Sequence, residues 1–264
     1  MTRWPEYPRS PEPKPGAKLV FQDDFEASTL DRIRWSPFYL PHWSKAETAA
    51  RYHIEDSRLV LRVDSDQPPW CPEYDGEVRV SALQTGQFSG PGGSHRGQHR
   101  FQQNLVVRRP QATERLYTPH EGQVVVRARA EMGPGDLVSL YLIGFEDSPE
   151  DSGEITVFEI FGRHVHEDGV VVGRGIKNIN DPRLRSEFIE SKLPIGLADW
   201  HEYAIDWTSE GVRFFLDDRP VGSTTQSPRY AMQLMLTCYR LEDTPLVPGP
   251  RLEVDYVRGY ESNR

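Results

Sequence analysis

Two glutamates five positions apart, Glu154 and Glu159, are the residues of this sequence whose type and spacing best fit chemistry on a substrate. They lie in the segment GEITVFEI, where a regular strand places Glu154 and Thr156 on one face and Glu159 on the other, because side chains alternate. One β-bulge near Val157 or Phe158 inserts the residue that returns Glu159 to the first face. We therefore predict a bulged strand that presents both carboxylates to one cleft.

Two carboxylates placed in this way are suited to double displacement at a glycosidic bond. Their Cα atoms are expected roughly 13 Å apart, and side chains leaning inward close the carboxyl groups to the ~5 to 5.5 Å typical of a retaining glycosidase. One carboxylate attacks the anomeric carbon, and the other acts first as acid and then as base; repulsion between them raises one pKa and separates the roles. Taken alone, the pair is weak support for catalysis, because acidic residues are common on solvated faces.

The composition fits one globular domain without an excess of positive charge. Of the 264 residues, 37% are hydrophobic and 27% are charged, which is enough apolar area for a large core. The formal net charge of -9 argues against nucleic acid or anionic lipid as a partner, because phosphate recognition needs an excess of Lys and Arg. A neutral polymer is the easier ligand, and we expect a monomer.

Apolar residues recur mostly with period two in many short runs separated by turn formers, which predicts an all-β sandwich of antiparallel sheets. Residues 1–16 hold five prolines and predict a disordered or extended arm, with one domain over 17–264. No apolar segment resembles a signal peptide or a membrane span. The chain as given is expected in the cytoplasm, or secreted if a signal has been trimmed.

Residues 86–118 interrupt the strand rhythm with a Gly-, Ser- and His-rich stretch, which predicts a long loop packed over one face. A functional loop and a mobile surface insertion remain equally open. His95 and His99 lie four positions apart, but with no third ligand apparent a solvated loop is favoured over a metal site. Whether Cys71 and Cys238 form a disulfide is left open.

The segment around the two glutamates resembles the signature of glycoside hydrolase family 16, Glu-x-Asp-x-x-Glu preceded by Gly. LVFQDDFEASTLDRIRW, YTPHEGQVVVRARAEMGPG, DWHEYAIDWTSEGVRFFLDDRPV and LEVDYVRGYE are similar to other family segments in the same order, from about residue 18 to 261. The resemblance implies a concanavalin A-like jelly roll of two antiparallel sheets over 17–264. It implies that Glu154 is the nucleophile and Glu159 the acid/base of a laminarinase- or lichenase-like enzyme.

Three departures from the family pattern bear on activity and substrate. Thr156 stands where the family has the central Asp; its hydroxyl is able to donate to Glu154 but carries no charge. The family's Trp-Pro-Ala-Phe-Trp run is replaced by residues 137–141, which keep one aromatic, and its following His is replaced near Lys177. Together with the changed segment 233–237, these differences favour a substrate other than plain β-1,3-glucan.

Five residues are candidates for sugar contact, because sugar sites combine flat apolar surfaces with polar side chains. Tyr141 alternates with core leucines and is interpreted as a subsite platform. Gln233 and Thr237 face outward by the same alternation, with cleft contact and plain packing equally open. Trp43 and Trp70 fit a stacking lid, but partial burial under a loop is the favoured interpretation for both.

No cofactor is expected, and a structural calcium ion is the one alternative considered. Asp24 and Asp255, with Asp23, resemble positions near a calcium site that some family members carry, and oxygen ligands suit calcium. Ordinary acidic surface explains these residues at least as well.

The preferred hypothesis is a retaining endo-β-glycosidase that hydrolyses a β-glucan-like polysaccharide, β-1,3-glucanase-like in type. A glycan-binding jelly roll without catalysis is the alternative that the absent Asp and tryptophans favour. Transglycosylation by the same residues, and hydrolysis of a galactan-type polymer, also remain open.

Overall fold

The computed structural model describes residues 2–9, 16–46, 48–242 and 249–262. Short strands make up most of its regular structure, and no helix within these ranges is long and apolar enough to cross a membrane. In chain order the elements are β1 (Ala17–Asp23), β2 (Arg51–Glu55), β3 (Arg58–Arg62), α1 (Pro72–Asp75), β4 (Arg79–Gln84), β5 (Gly86–Gln87), β6 (Glu114–Arg115), β7 (Gly122–Glu131), β8 (Asp136–Gly144), β9 (Glu154–Phe161), a 3-10 turn (Gly162–His164), β10 (Val165–His166), β11 (Gly169–Lys177), β12 (Glu187–Leu193), β13 (His201–Thr208), β14 (Gly211–Leu216), β15 (Arg219–Thr224), β16 (Met232–Arg240) and β17 (Arg251–Ser262).

Two antiparallel sheets hold nearly all of these strands. Among the described residues, sheet 1 has eight strands in the order β15-β14-β13-β7-β17-β3-β2, with β1 also paired to β17. Sheet 2 has seven strands in the order β10-β11-β9-β8-β16-β4, with β12 also paired to β11. The pairings within both sheets are antiparallel. The predicted antiparallel sandwich is confirmed.

One apolar core fills the space between the sheets, and β16 shows how the sequence selects the faces. Leu234, Leu236 and Cys238 belong to this core. Gln233 and Thr237 alternate with them and therefore lie on the opposite side, which we call the outer face of sheet 2. Cys238 is buried in the core, and Cys71 is buried elsewhere; both are free thiols, which answers the open question of a disulfide.

Much of the outer face of sheet 2 is itself buried under loops. Residues 88–113, between β5 and β6, pack there as the sequence predicts, with Leu105 and Val107 fully covered. We call the part formed by β4, β16 and β8 the covered half, and the part formed by β9, β11 and β12 the open half. The second apolar cluster on the covered half contains Tyr39, Leu40, Trp43, Trp70, Cys71, Val80, Ala82, Leu105, Val107, Leu137, Tyr141, Ile143, Met235 and Tyr239.

Residues 2–9 of the predicted arm have no regular secondary structure and are held against the domain. The backbone N–H of Trp4 donates to the carbonyl of Pro194, and that of Tyr7 donates to the carbonyl of Trp200 at 2.7 Å. Arg127 in turn donates to the Tyr7 carbonyl at 2.7 Å. The low apolar content of this segment did not predict such contacts, and the rest of the predicted arm, residues 1 and 10–15, lies outside the described residues.

Candidate active site

A β-bulge in β9 brings the two glutamates to one face. Opposite β8, Phe158 pairs with Leu140 and Thr156 pairs with Tyr141, so Val157 is the extra residue. Val157 and Phe158 both enter the core between the sheets, which strict alternation forbids. Glu154, Thr156 and Glu159 therefore share the outer face of sheet 2, and the predicted bulge is confirmed.

One lysine joins the two carboxylates. Lys177 Nζ lies 3.1 Å from Glu154 Oε1 and 2.8 Å from Glu159 Oε2. Glu154 Oε1 and Glu159 Oε2 therefore lie no more than about 6 Å apart, the sum of those distances, and this upper limit is compatible with the carboxyl separation of about 5 to 5.5 Å in retaining glycosidases. The side chain of Glu154 is 6% exposed, that of Glu159 is 18% exposed and that of Lys177 is 30% exposed, so solvent reaches the site from the Glu159 side.

Thr156 supports the buried glutamate in place of the family's Asp. Its Oγ1 donates a hydrogen bond of 2.5 Å to Glu154 Oε1, as the sequence predicts. Lys177 contacts the same oxygen, so both of these contacts fall on Oε1.

The charges of the site balance when one proton is bound. Burial lowers the pKa of Lys177, but the two carboxylates outweigh burial and raise the net pKa above its ordinary value. Lys177 is thus a permanent cation at neutral pH. With one carboxylate ionised and the other protonated, the three groups carry no net charge.

Tyr141 lies beneath a loop, which corrects its predicted role as an exposed subsite platform. It is 4% exposed, and the imidazole of His99 stands edge-on to its ring at 6.0 Å between centroids. Burial raises the pKa of its phenol, and burial together with the charge of Lys177 lowers the pKa of His99 to about 4. Two uncharged rings, those of Tyr141 and His99, therefore border β9 on the side of the covered half.

The other four candidates for sugar contact are buried as well. Burial is the interpretation that the sequence favoured for Trp43 and Trp70, and it replaces the cleft contact that was left open for Gln233 and Thr237. Trp43 donates from Nε1 to the carbonyl of Gln98 at 2.8 Å, and Trp70 donates from Nε1 to Asp75 at 2.7 Å. Thr237 donates to the carbonyl of Ser139. Gln233 exchanges hydrogen bonds with two other buried glutamines, Gln84 and Gln98. Gln98 and Phe101 of the long loop contact Trp43, Gln233 and Trp70. Alternation along a strand does not reveal such a cover.

Glu146 fixes this loop, and its protonation makes stability depend on pH. Its Oε1 accepts a 2.6 Å hydrogen bond from the backbone N–H of His99, and burial raises its pKa from 4.5 to about 8. The carboxyl of Glu146 keeps its proton up to about pH 8 in the folded protein but loses it near pH 4.5 in the unfolded chain. The free energy of unfolding therefore falls as pH rises from about 4.5 to about 8.

Glu146→Gln replaces the protonated acid with a neutral group of similar shape. We predict that the variant has a larger free energy of unfolding than the parent at pH 7.5, by on the order of 3 kcal/mol, and an equal one near pH 4.5. Urea denaturation at both pH values measures this difference. The exposed Glu150→Gln serves as the matched control. A gap that does not change with pH would contradict the buried titration.

The two calcium candidates are engaged by arginines. Asp24 accepts from Arg258 at 3.0 Å, and Asp255 accepts from Arg127 at 2.9 Å. No cluster of three or more His, Cys, Asp or Glu side chains able to hold a metal occurs in the part of the chain that the structure describes. Calcium stays an untested prediction.

Lys177 is the site residue whose role sequence reasoning missed. It was noticed as a replacement for the family's His, but not as the link between the glutamates. The alternation in GRGIK contained the signal: Gly173, Gly175 and Lys177 share a face of β11 that pairs with the bulged strand. The two glycines carry no side chain, so Lys177 is the residue of these three that is able to reach the carboxylates on β9.

Comparison with known proteins agrees with this geometry. A model of the family described as Glycosyl hydrolases family 16 matches residues 116–258, which include Glu154, Glu159 and Lys177. A beta-glucanase of Rhodothermus marinus is 25% identical over 219 residues, which cover 77% of this chain and 64% of that protein.

Solved structures include similar chains of two named activities. A GlcNAcα1-4Gal releasing endo-β-galactosidase from Clostridium perfringens is 29% identical with a TM-score of 0.84, over 97% of this chain and 66% of that chain. The catalytic domain of an endo-1,3-beta-glucanase (laminarinase) from Thermotoga petrophila RKU-1 shares the fold at 16% identity and a TM-score of 0.67, over 94% of this chain and 99% of that chain. This chain thus spans less than two thirds of the length of the beta-glucanase and of the endo-β-galactosidase chain.

Proposed function

The chain belongs to glycosyl hydrolase family 16, and we propose that it is a retaining endo-β-galactosidase with Glu154 as nucleophile and Glu159 as acid/base. The observation that carries the proposal is the contact of one ammonium group with both carboxylates, at 3.1 and 2.8 Å. Groups so close are able to act on a single anomeric carbon, and this is the arrangement that double displacement requires.

In the first step, Glu154 Oε2 bonds to the anomeric carbon while the bond from that carbon to the leaving oxygen breaks. Glu159 gives its proton to the leaving oxygen, which departs as an alcohol, and an ester between Glu154 and the sugar remains. Thr156 and Lys177 hold the other oxygen of Glu154 and so fix the direction of attack.

In the second step, the ionised Glu159 takes a proton from water as the water oxygen attacks the anomeric carbon. The ester bond breaks, and Glu154 leaves as a carboxylate. The cation of Lys177 is beside Glu154 when that group is ionised and beside Glu159 when the charge has moved there. The three groups are neutral in both states, so no uncompensated charge is left at this largely buried site.

The similarity to a GlcNAcα1-4Gal releasing endo-β-galactosidase supports a β-galactoside as substrate. That similarity covers 97% of the chain at 29% identity and a TM-score of 0.84. The covered half of the outer face also supports a substrate other than a long glucan, since β4, β16 and β8 offer it little exposed surface.

A β-glucan is the second candidate substrate, and it is the finer assignment that the sequence favoured. The observation in its favour is the 25% identity over 219 residues with a beta-glucanase.

Two chromogenic glycosides separate these candidates. We predict that the p-nitrophenyl β-glycoside of GlcNAcα1-4Gal is cleaved with a kcat/KM at least about 10-fold above that of p-nitrophenyl β-laminaribioside, because a hydroxyl-binding site rejects the wrong sugar strongly. Proton NMR during turnover is expected to show the β-anomer of the released sugar first.

Faster cleavage of the laminaribioside would favour the glucanase candidate, and an α-anomer formed first would contradict double displacement. The exposed Glu210→Gln, which lies on the turn between β13 and β14, is the matched control and should cleave both substrates like the parent.

A further inference from the structure

The outer face of sheet 2 changes from fully buried to accessible at the catalytic strand. Ala82 on β4, Thr237 on β16 and Ile143 on β8 are completely buried. On the open half, Phe188 is partly exposed and Glu190 is exposed. Sugar units next to the scissile bond therefore have access to surface on the β11 and β12 side.

Phe188 lies on that side, on the same face as the catalytic residues. Gly175 is the cross-strand partner of both Thr156 and Phe188, so the three positions form one row across β9, β11 and β12. Cross-strand partners present their side chains to the same face. Phe188 is thus two strands away from Thr156, with a glycine at the position between them in this row.

The ring of Phe188 leans over a neighbouring glycine toward the carboxylates. A Cβ placed on Gly173 would lie 2.7 Å from Cε1 of Phe188, so the ring occupies the space that any other residue at 173 would fill. Gly173 is the cross-strand partner of Glu159. The ammonium of Lys177 is 4.9 Å from the ring centroid, so the aromatic surface borders the catalytic groups.

We propose that the ring of Phe188, seated over Gly173, is the stacking surface for a sugar unit adjoining the scissile bond. A partly exposed aromatic face is the surface that the C–H groups of a pyranose bind. Any larger residue at 173 would displace this ring from its position beside the strand that carries Glu159. The inference rests on the proposed function, because it names the sugar-binding surface of that same site.

The test compares Phe188→Leu, which keeps apolar volume but loses the flat ring, with Phe188→Tyr, which keeps the ring. On the p-nitrophenyl β-glycoside of GlcNAcα1-4Gal, Phe188→Leu should raise KM roughly 3- to 10-fold with kcat within about 2-fold, and Phe188→Tyr should retain the parent KM. Phe215→Leu, a partly buried aromatic on sheet 1, is the matched control and should leave KM unchanged. Equal KM values for the parent and Phe188→Leu would overturn the proposal.

A binding measurement distinguishes failure of this inference from failure of the proposed function. Calorimetric titration of Glu154→Gln with the same glycoside is expected to give an affinity that falls roughly 3- to 10-fold when Phe188→Leu is added. If the parent shows no hydrolysis but this loss of affinity is observed, the binding surface stands and the enzymatic proposal fails. If Glu154→Gln shows no binding, both fail.

Discussion

Glu154→Ala should lower kcat on the p-nitrophenyl β-glycoside of GlcNAcα1-4Gal by at least about 10⁴-fold, and added azide should restore release of p-nitrophenol. The substitution removes the attacking oxygen and leaves a space on the same side of the sugar. Azide fits that space and attacks the anomeric carbon directly, while Glu159 still protonates the leaving oxygen. The product expected is the α-glycosyl azide, identified by NMR.

Glu159→Ala is the partner experiment. The ester on Glu154 still forms from a substrate with an activated leaving group, and azide then attacks from the opposite side in place of water. The β-glycosyl azide is therefore expected. The same azide anomer from both variants, or no rescue of either one, would contradict the assignment of the two roles.

Lys177→Met should lower kcat/KM on the same substrate by about 10²-fold. The substitution removes the ammonium group that contacts both glutamates and so stabilises the negative charge on whichever of them is ionised. Without the cation, the two carboxylates repel each other at less than about 6 Å and hold a proton to higher pH. Both limbs of the pH profile of kcat/KM should therefore move to higher pH.

Lys177→Arg separates charge from plain packing. It keeps the positive charge, so the pH profile should remain close to that of the parent even if the rate falls through altered geometry. Lys45→Met, which removes an exposed lysine paired with Glu73, should change neither rate nor profile. A pH profile of Lys177→Met identical with that of the parent would contradict a role for this cation in the protonation of the pair.

The elements that alternation controls were predicted well from the sequence. The period-two runs predicted the strands, and the spacing of Glu154 and Glu159 required a bulge that the structure contains at Val157. These features depend on residues that are neighbours in the chain, so local rules are sufficient.

The covered half could not be predicted in this way. Tyr141, Gln233 and Thr237 were correctly assigned to the outer face of sheet 2. Whether that face meets solvent is decided by loops from elsewhere in the chain, among them residues 88–113. Alternation separates the two faces of a strand, but does not say what covers each face.

Lys177 shows a related limit. It lies 18 positions after Glu159, and only the antiparallel pairing of β9 with β11 brings its ammonium to both carboxylates. The register of that pairing depends on the bulge, so the contact requires β9, β11 and the bulge at Val157 together. The sequence contained each part but not their alignment.

The most direct test of the central claim is to trap the covalent intermediate. The 2,4-dinitrophenyl 2-deoxy-2-fluoro β-glycoside of GlcNAcα1-4Gal has a good leaving group and a slowed second step, so the sugar should accumulate on the protein. Peptide mass spectrometry is expected to find it as an ester on Glu154. A label on Glu159, or release of dinitrophenol with no sugar attached to the protein, would contradict the account.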